Sequence, residues 1–110
     1  MNRFSIIVGI KGFFLTKDEK KYLKKFKPLG VILFKRNILN KEQVILLIKE
    51  IKSILGHVSL IMIDQEGGRV SRLSKNIWPE FPAANIFGKI AKKNLNKAKK
   101  ETFKNYYLIG

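Results

Sequence analysis

Three short apolar runs lie between segments in which apolar residues recur at helical spacing. The runs cover residues 5–10 (SIIVGI), 30–34 (GVILF) and 58–63 (VSLIMI). They are rich in β-branched residues, and the second is continuous rather than alternating, which is typical of a strand covered on both faces. We therefore predict three β-strands.

The segments between these runs predict two helices. Thr16 and Glu19 have the spacing of a capping box, which would begin a helix over residues 17–26. Asn40 is a candidate N-cap for a second helix, which Gly56 would end. The apolar faces of the two helices are Tyr22, Leu23 and Phe26, and then Val44, Leu47, Ile48, Ile51 and Leu55.

The rest of the chain has a long polar segment followed by helical patterning. Residues 64–82 show no period, and helical character returns from about Asn85, where Ile86, Ile90 and Leu95 could form a stripe. A further lysine-rich helix runs toward Tyr107. The order β-α-β-α-β-loop-α-α predicts parallel βα units with the helices outside the sheet.

The composition is that of one globular domain. The chain has 110 residues, 45% of them hydrophobic, and no cysteine, which excludes disulfides and thiolate metal sites and fits a reducing compartment. It contains no apolar stretch long enough for a membrane span, and its first ten residues lack the features of a signal peptide. We expect a soluble, cytoplasmic protein without a membrane partner.

The net charge of +15 raises the question of a nucleic-acid partner. Nearly all of the excess is lysine, concentrated in residues 17–27 and 89–104, and there are only four arginines. Surfaces that read bases usually depend on arginine forks. We therefore interpret the lysines as solvated helix faces and do not expect specific nucleic-acid binding, although a lysine-rich nucleic-acid-binding protein remains the alternative function.

The stretch IMIDQEGGRVSR, residues 61–72, has a different composition from the rest of the chain. Asp64 follows the third apolar run, and ligands of parallel α/β folds bind beyond the carboxyl ends of the strands. Its carboxylate could accept hydrogen bonds from neighbouring sugar hydroxyls. Gly67 and Gly68 permit tight turning, and Arg69 and Arg72 supply donor forks that could hold a carboxylate or a polar ligand.

Three interpretations of this stretch are open from spacing alone. Asp64 and Glu66 could be the two carboxylates of a glycosidase, although such carboxylates must lie on opposite sides of a sugar. The acidic and basic side chains could instead form a structural clasp within a loop. The third interpretation is a ligand-binding loop.

Three segments together resemble a known family. GVILFKRN (residues 30–37), LIMIDQEGGRVSRL (60–73) and WPEFPAANIFG (78–88) are similar, in order and separation, to the start of glycoside hydrolase family 3. The branch resembled is the bacterial β-N-acetylhexosaminidases, which remove terminal β-linked N-acetylglucosamine from cell-wall muropeptides in the cytoplasm. The resemblance covers roughly residues 6–110.

The resemblance implies a fold and a set of roles. The fold would be a (β/α)8 barrel, of which residues 1–110 would supply the first three βα units. Asp64 would hydrogen-bond the hydroxyls of N-acetylglucosamine, and Arg72 would belong to the same substrate-binding region. The motif positions that would shape the loop without being catalytic are Glu66, Gly67, Gly68 and Arg69. No cofactor or metal is expected.

A complete barrel takes about 250 residues, and the family's acid/base and nucleophile belong to later segments. The sole histidine, His57, is predicted to be a surface or packing residue. We therefore expect no catalytic residue in this chain and no hydrolysis by it alone. The resemblance implies an N-terminal segment with a muropeptide ligand and a complementary C-terminal fragment as a candidate partner. A stand-alone sugar-binding module is a further alternative.

Overall fold

Three strands and four α-helices follow one another within residues 2–110, the part of the chain that the computed structural model describes. Met1, the first residue of the predicted 1–110 segment, lies outside the described residues. The elements are β1 (Phe4–Gly9), α1 (Lys17–Phe26), β2 (Pro28–Leu33), a 3-10 turn (Lys35–Asn37), α2 (Lys41–Leu55), β3 (Leu60–Ile63), α3 (Ala84–Lys93) and α4 (Leu95–Ile109). The chain divides into two compact units, the first ending at Asp64 and the second being Gln65–Gly110.

The first unit is built on a parallel sheet. The strand order is β1-β2-β3, and Val31 of β2 is in register with Val8 of β1 and Ile61 of β3. Parallel neighbours require a crossover connection, which α1 and α2 supply. The predicted mixed α/β architecture with three parallel strands is therefore confirmed.

The core of the first unit lies between the sheet and its two helices. Val31 and Leu33 of β2 are buried there. Leu23 is the buried residue of α1. Tyr22, which we predicted on the same face, is exposed, and its ring packs against that of Phe26. The full cluster is Ile10, Leu15, Leu23, Val31, Leu33, Leu47, Ile51 and Leu55.

The opposite face of the sheet is more exposed than we expected. Ile32 is only half-buried, and Leu60 and Met62 of β3 are each 46% exposed. The reason is that the core cluster joins both helices of this unit to the Val31 side of the sheet. The expectation of cover on both faces concerned β2, in which Gly30 is buried and Ile32 half-buried on this side, so the open part of this face belongs to β3.

The third strand is shorter than the predicted run. It begins at Leu60, and Val58 is exposed in a turn. This turn forms because the carbonyl of Gly56 accepts hydrogen bonds from both the N–H and the hydroxyl of Ser59, at 3.1 and 2.7 Å. His57 is exposed in the same turn.

The beginning of α1 is fixed by the predicted capping box. The Thr16 hydroxyl accepts from the Glu19 N–H at 3.1 Å, and the Glu19 carboxylate accepts from the Thr16 N–H at 2.8 Å and from the Lys11 N–H at 2.8 Å. Partial burial disfavours the charged carboxylate, but these hydrogen bonds and the Lys11 charge outweigh it and lower the pKa of Glu19.

Glu19→Gln should make stability less dependent on pH. A carboxyl whose pKa is lowered by folding stabilises the folded state above its ordinary pKa, and this contribution is lost as the pH falls through the folded value. The variant should lose stability at pH 7 and show a smaller difference between urea unfolding at pH 7 and pH 3. Glu42→Gln removes a carboxylate from the first turn of α2 and is the matched control. An unchanged pH difference in Glu19→Gln would contradict the assignment.

The second unit ends in two consecutive helices. Asn94 separates them, and its side chain caps α4 by accepting from the Lys97 N–H at 3.0 Å. Leu95, predicted in a stripe with Ile86 and Ile90, instead begins α4 and is exposed. None of the helices in the described residues is long and apolar enough to cross a membrane.

Candidate functional site

Asp64 lies at the carboxyl end of β3, in the first unit. Its N–H donates to the carbonyl of Leu33 at 3.1 Å, so pairing with β2 extends one residue beyond the last residue of β3. The backbone of Asp64 is thereby held by the sheet. Its half-buried side chain begins at the edge where parallel α/β folds bind ligands.

A buried asparagine holds the loops that follow β1 and β2. Asn37 is fully buried, and its side-chain oxygen accepts from the Phe34 N–H at 2.9 Å. Its amide nitrogen donates to the carbonyls of Ile10 and Gly12, at 3.1 and 2.8 Å. One side chain therefore joins two loops at the same edge of the sheet as Asp64.

Gln43 extends this network from the first turn of α2. Its amide nitrogen donates to the carbonyls of Phe13 and Asn37, at 2.6 and 3.0 Å, and its oxygen accepts from the Leu39 N–H at 2.8 Å. The predicted Asn40 cap is present, because the Asn40 side chain accepts from the Gln43 N–H at 2.8 Å. Gln43 thus supports the neighbouring loops.

Sequence reasoning did not identify Asn37 and Gln43 as organising residues. Three of their hydrogen bonds reach carbonyls 25 to 30 residues earlier in the chain, and local patterns do not report such contacts. The available signal was the pair of amide side chains on either side of the start of α2, close to the predicted carboxyl edge. Arg36 also contributes, because it donates to the Ile10 carbonyl at 3.0 Å.

In the second unit, Gln65 organises the loop that carries the remaining motif. Its side-chain oxygen accepts from the N–H groups of Arg72 and Leu73, at 2.8 and 3.2 Å, and its amide nitrogen donates to the Ser71 hydroxyl at 2.9 Å. The Ser71 hydroxyl donates to the Leu73 carbonyl at 2.8 Å. Gln65 therefore fixes the backbone of Arg72, a role that sequence reasoning also missed.

The two glycines lie in a tight turn that requires their conformations. Gly67 and Gly68 have φ of 84° and 60°, a region that L side chains rarely adopt. Gly67 forms an isolated antiparallel bridge with Val70, and a Cβ on it would collide with the carbonyl oxygen of Pro82. The Gly68 N–H donates to the Phe81 carbonyl at 2.9 Å, so the turn is held against residues near the end of the same loop.

The predicted site residues are divided between the two units. Asp64 ends the first unit, and the other residues belong to the second. Within the second unit, Glu66 and Arg69 are exposed beside the glycine turn, and Arg72 is half-buried where Gln65 holds its N–H. Within the second unit, residues 66–72 thus carry one carboxylate and two guanidinium groups along a single loop.

The chain is similar in sequence to curated β-hexosaminidases. It is 41% identical over 87 residues to that of Haemophilus ducreyi, which covers 79% of this chain and 25% of the relative. It is 39% identical over 88 residues to that of Neisseria gonorrhoeae, which covers 80% of this chain and 24% of the relative. The chain thus spans about a quarter of the length of the curated relatives it matches. No protein-family profile matches it.

Solved structures agree with the sequence comparison. NagZ from Neisseria gonorrhoeae in complex with N-trifluoroacetyl-D-glucosamine gives a TM-score of 0.72 at 38% identity, covering 84% of this chain and 27% of that one. A glycoside hydrolase family 3 β-N-acetylglucosaminidase from Paenibacillus sp. str. FPU-7 gives 0.65 at 31% identity, covering 74% of this chain and 16% of that one.

Proposed function

The chain is homologous to a segment of the family-three β-N-acetylhexosaminidases, and from that premise we propose that it is the N-terminal, sugar-holding part of such an enzyme. The complete reaction is the hydrolysis of terminal β-linked N-acetylglucosamine from peptidoglycan muropeptides during cell-wall recycling in the cytoplasm. Support for the substrate class comes from NagZ of Neisseria gonorrhoeae, which was solved with N-trifluoroacetyl-D-glucosamine.

The proposal includes the fold of the whole enzyme. The three parallel strands in the order β1-β2-β3 correspond to the first three βα units of a (β/α)8 barrel, with α1 and α2 on its outer face. Residues 1–110 are then an incomplete N-terminal part of one domain. The exposed apolar side chains of Leu60 and Met62 support this assignment, because the inside of such a barrel is filled by side chains from all of its strands.

The observation that carries the proposed role is the position of Asp64. The sheet holds its backbone one residue beyond β3, at the carboxyl edge. A carboxylate in that position accepts hydrogen bonds from adjacent sugar hydroxyls, and such charge-assisted bonds are about twice as strong as neutral ones. Arg72, whose backbone is fixed by Gln65, is the second substrate-binding residue, and the glycine turn with Glu66 and Arg69 shapes the loop.

The bond-breaking groups belong to parts of the enzyme other than this chain. A retaining glycosidase typically uses two carboxyl groups on opposite sides of the sugar, one as the acid and one as the nucleophile. We assign neither role to Asp64 or Glu66. The candidate partner is a complementary C-terminal fragment that carries these groups. The purified chain alone should therefore not hydrolyse a chromogenic N-acetylglucosaminide above the level of its Asp64→Ala variant.

Asp64→Ala should abolish most of the activity of an assembled enzyme. The test is a chimera in which this chain replaces the homologous segment of the Neisseria gonorrhoeae enzyme. Losing charge-assisted hydrogen bonds to the sugar should lower kcat/KM for a chromogenic N-acetylglucosaminide by about 100-fold. Asp18→Ala removes an exposed carboxylate from the first turn of α1 and should leave activity within about twofold. Equal activity of the Asp64→Ala and parent chimeras would refute the assigned role.

A stand-alone sugar-binding module is the second candidate. The observation in its favour is that the Asp64 backbone is held by a hydrogen bond to Leu33, which lies within the same unit. Under this alternative the isolated chain binds N-acetylglucosamine saturably, and Asp64→Ala or Arg72→Ala weakens that binding. Ligand-observed NMR with the purified chain distinguishes the two candidates.

A further inference from the structure

The outward face of α4 combines aromatic rings with lysines. Phe103 and Tyr107 are 73% and 74% exposed, and their rings stack with centroids 6.0 Å apart and an interplanar angle of 22°. Lys100 and Lys104 line the same surface groove of about 410 Å³ as these two rings, together with one carboxylate, that of Glu101. Planar apolar surface and ammonium groups are therefore available side by side.

Helix geometry places these side chains on one face. Residues 99, 103 and 107 are spaced at four-residue intervals and form one row, and residues 100 and 104 form the adjacent row. Ala98, the buried residue of α4, lies on the opposite side of the helix. We call Lys99, Lys100, Phe103, Lys104 and Tyr107 the basic-aromatic face.

The charge around this face is strongly one-sided. Residues 84–109 contain seven lysines and one acidic residue, Glu101. In contrast, the five lysines of α1 share their helix with Asp18 and Glu19. A partner complementary to the basic-aromatic face must therefore be anionic, and it must bring groups that can cover exposed rings.

The mixture of side chains distinguishes between two anionic partners. A helix that lies on a membrane separates its apolar side chains from its lysines, so that one face enters the lipid. On the basic-aromatic face the rings lie between lysines. Single-stranded nucleic acid matches this alternation, because its bases stack on aromatic rings while its phosphates pair with cations.

We propose that the basic-aromatic face of α4 binds single-stranded nucleic acid without sequence preference. The bases stack on Phe103 and Tyr107, and Lys99, Lys100 and Lys104 contact the phosphates. Lysine ammonium groups are point charges without the planar fork that reads base edges, which is why the binding is independent of sequence. This activity goes beyond the proposed sugar-holding role and uses neither Asp64 nor Arg72.

The test is fluorescence anisotropy of a labelled 20-nucleotide oligothymidylate titrated with the full chain at several salt concentrations. Phe103→Leu/Tyr107→Leu keeps apolar bulk but removes the rings, and it should weaken binding about tenfold. Lys100→Gln/Lys104→Gln should reduce the slope of log affinity against log salt by about 1.4, or about 0.7 for each lysine.

Matched controls make the same changes in charge or ring content away from the basic-aromatic face. Lys17→Gln/Lys21→Gln removes two exposed lysines at the same spacing from α1, and Phe14→Leu removes an exposed ring elsewhere; both should bind as the parent does. Circular dichroism of every variant verifies the helices. The proposal is overturned by absence of saturable binding or by equal losses in the control and test variants. It is also overturned if the chain binds phosphatidylglycerol vesicles but not the oligonucleotide.

Discussion

Replacing Leu47 by alanine should lower the free energy of unfolding by about 3–5 kcal/mol, the upper part of the range for buried leucines. Leu47 is 0% exposed at the centre of the core between α2 and the sheet. Truncation removes apolar contacts and leaves a cavity that the other buried members of the core cluster can fill only in part. Small domains have only about 5–15 kcal/mol of stability, so this loss is a large share of the total.

The adjacent leucine provides the control for this prediction. Leu46 is 56% exposed on the same helix, and Leu46→Ala should change stability by less than about 0.5 kcal/mol. The measurement is the midpoint and slope of urea unfolding, followed by circular dichroism. Similar shifts in both variants would mean that the core does not lie on the Leu47 side of α2.

Replacing Asn37 by alanine should cost about 2–4 kcal/mol. The buried side chain donates to the carbonyls of Ile10 and Gly12 and accepts from the N–H of Phe34. Removing it takes this partner from three backbone groups, of which the Ile10 carbonyl still accepts from Arg36. Each unsatisfied buried group costs about 1–3 kcal/mol, which water entering the space offsets in part. The variant should also release the loops after β1 and β2.

Two further variants make the Asn37 prediction specific. Asn37→Asp keeps the acceptor for the Phe34 N–H but cannot donate when ionised, so it should remain destabilised at neutral pH. Asn96→Ala changes an exposed asparagine in α4 and should be nearly neutral. Urea unfolding measures stability, and hydrogen exchange reports opening of residues 10–13. Protection there that survives in Asn37→Ala would contradict the role of Asn37.

The elements that depend on local rules were predictable from the sequence. The capping box of Thr16 and Glu19, the Asn40 cap and the apolar stripe of α2 all report interactions within four residues. The start of β3 was missed, because the apolar pattern of residues 58–63 cannot show that Ser59 turns back onto Gly56. The exposed face of the sheet was missed because patterning shows that a strand is apolar without showing what covers it.

The candidate site was predictable to a similar limit. The end of an apolar run located Asp64, since a carboxylate after a parallel strand lies at the carboxyl edge. The side chains that position the site were not found. Asn37 and Gln43 act on backbone carbonyls 25 to 30 residues away, and Gln65 acts across its own loop on Arg72 and Leu73. Such contacts exist only once the tertiary fold has formed.

The sheet has a consequence for how the purified chain behaves as its concentration rises. Within the described residues β1 and β3 each pair with one neighbour, so each keeps an outer row of backbone groups. The strand β3 also carries Leu60 and Met62, whose apolar side chains are partly exposed. An unprotected edge of this kind is a template for strands of other molecules. The concentration of the purified chain should therefore decide whether it stays as single molecules or adds strands of other copies at this edge.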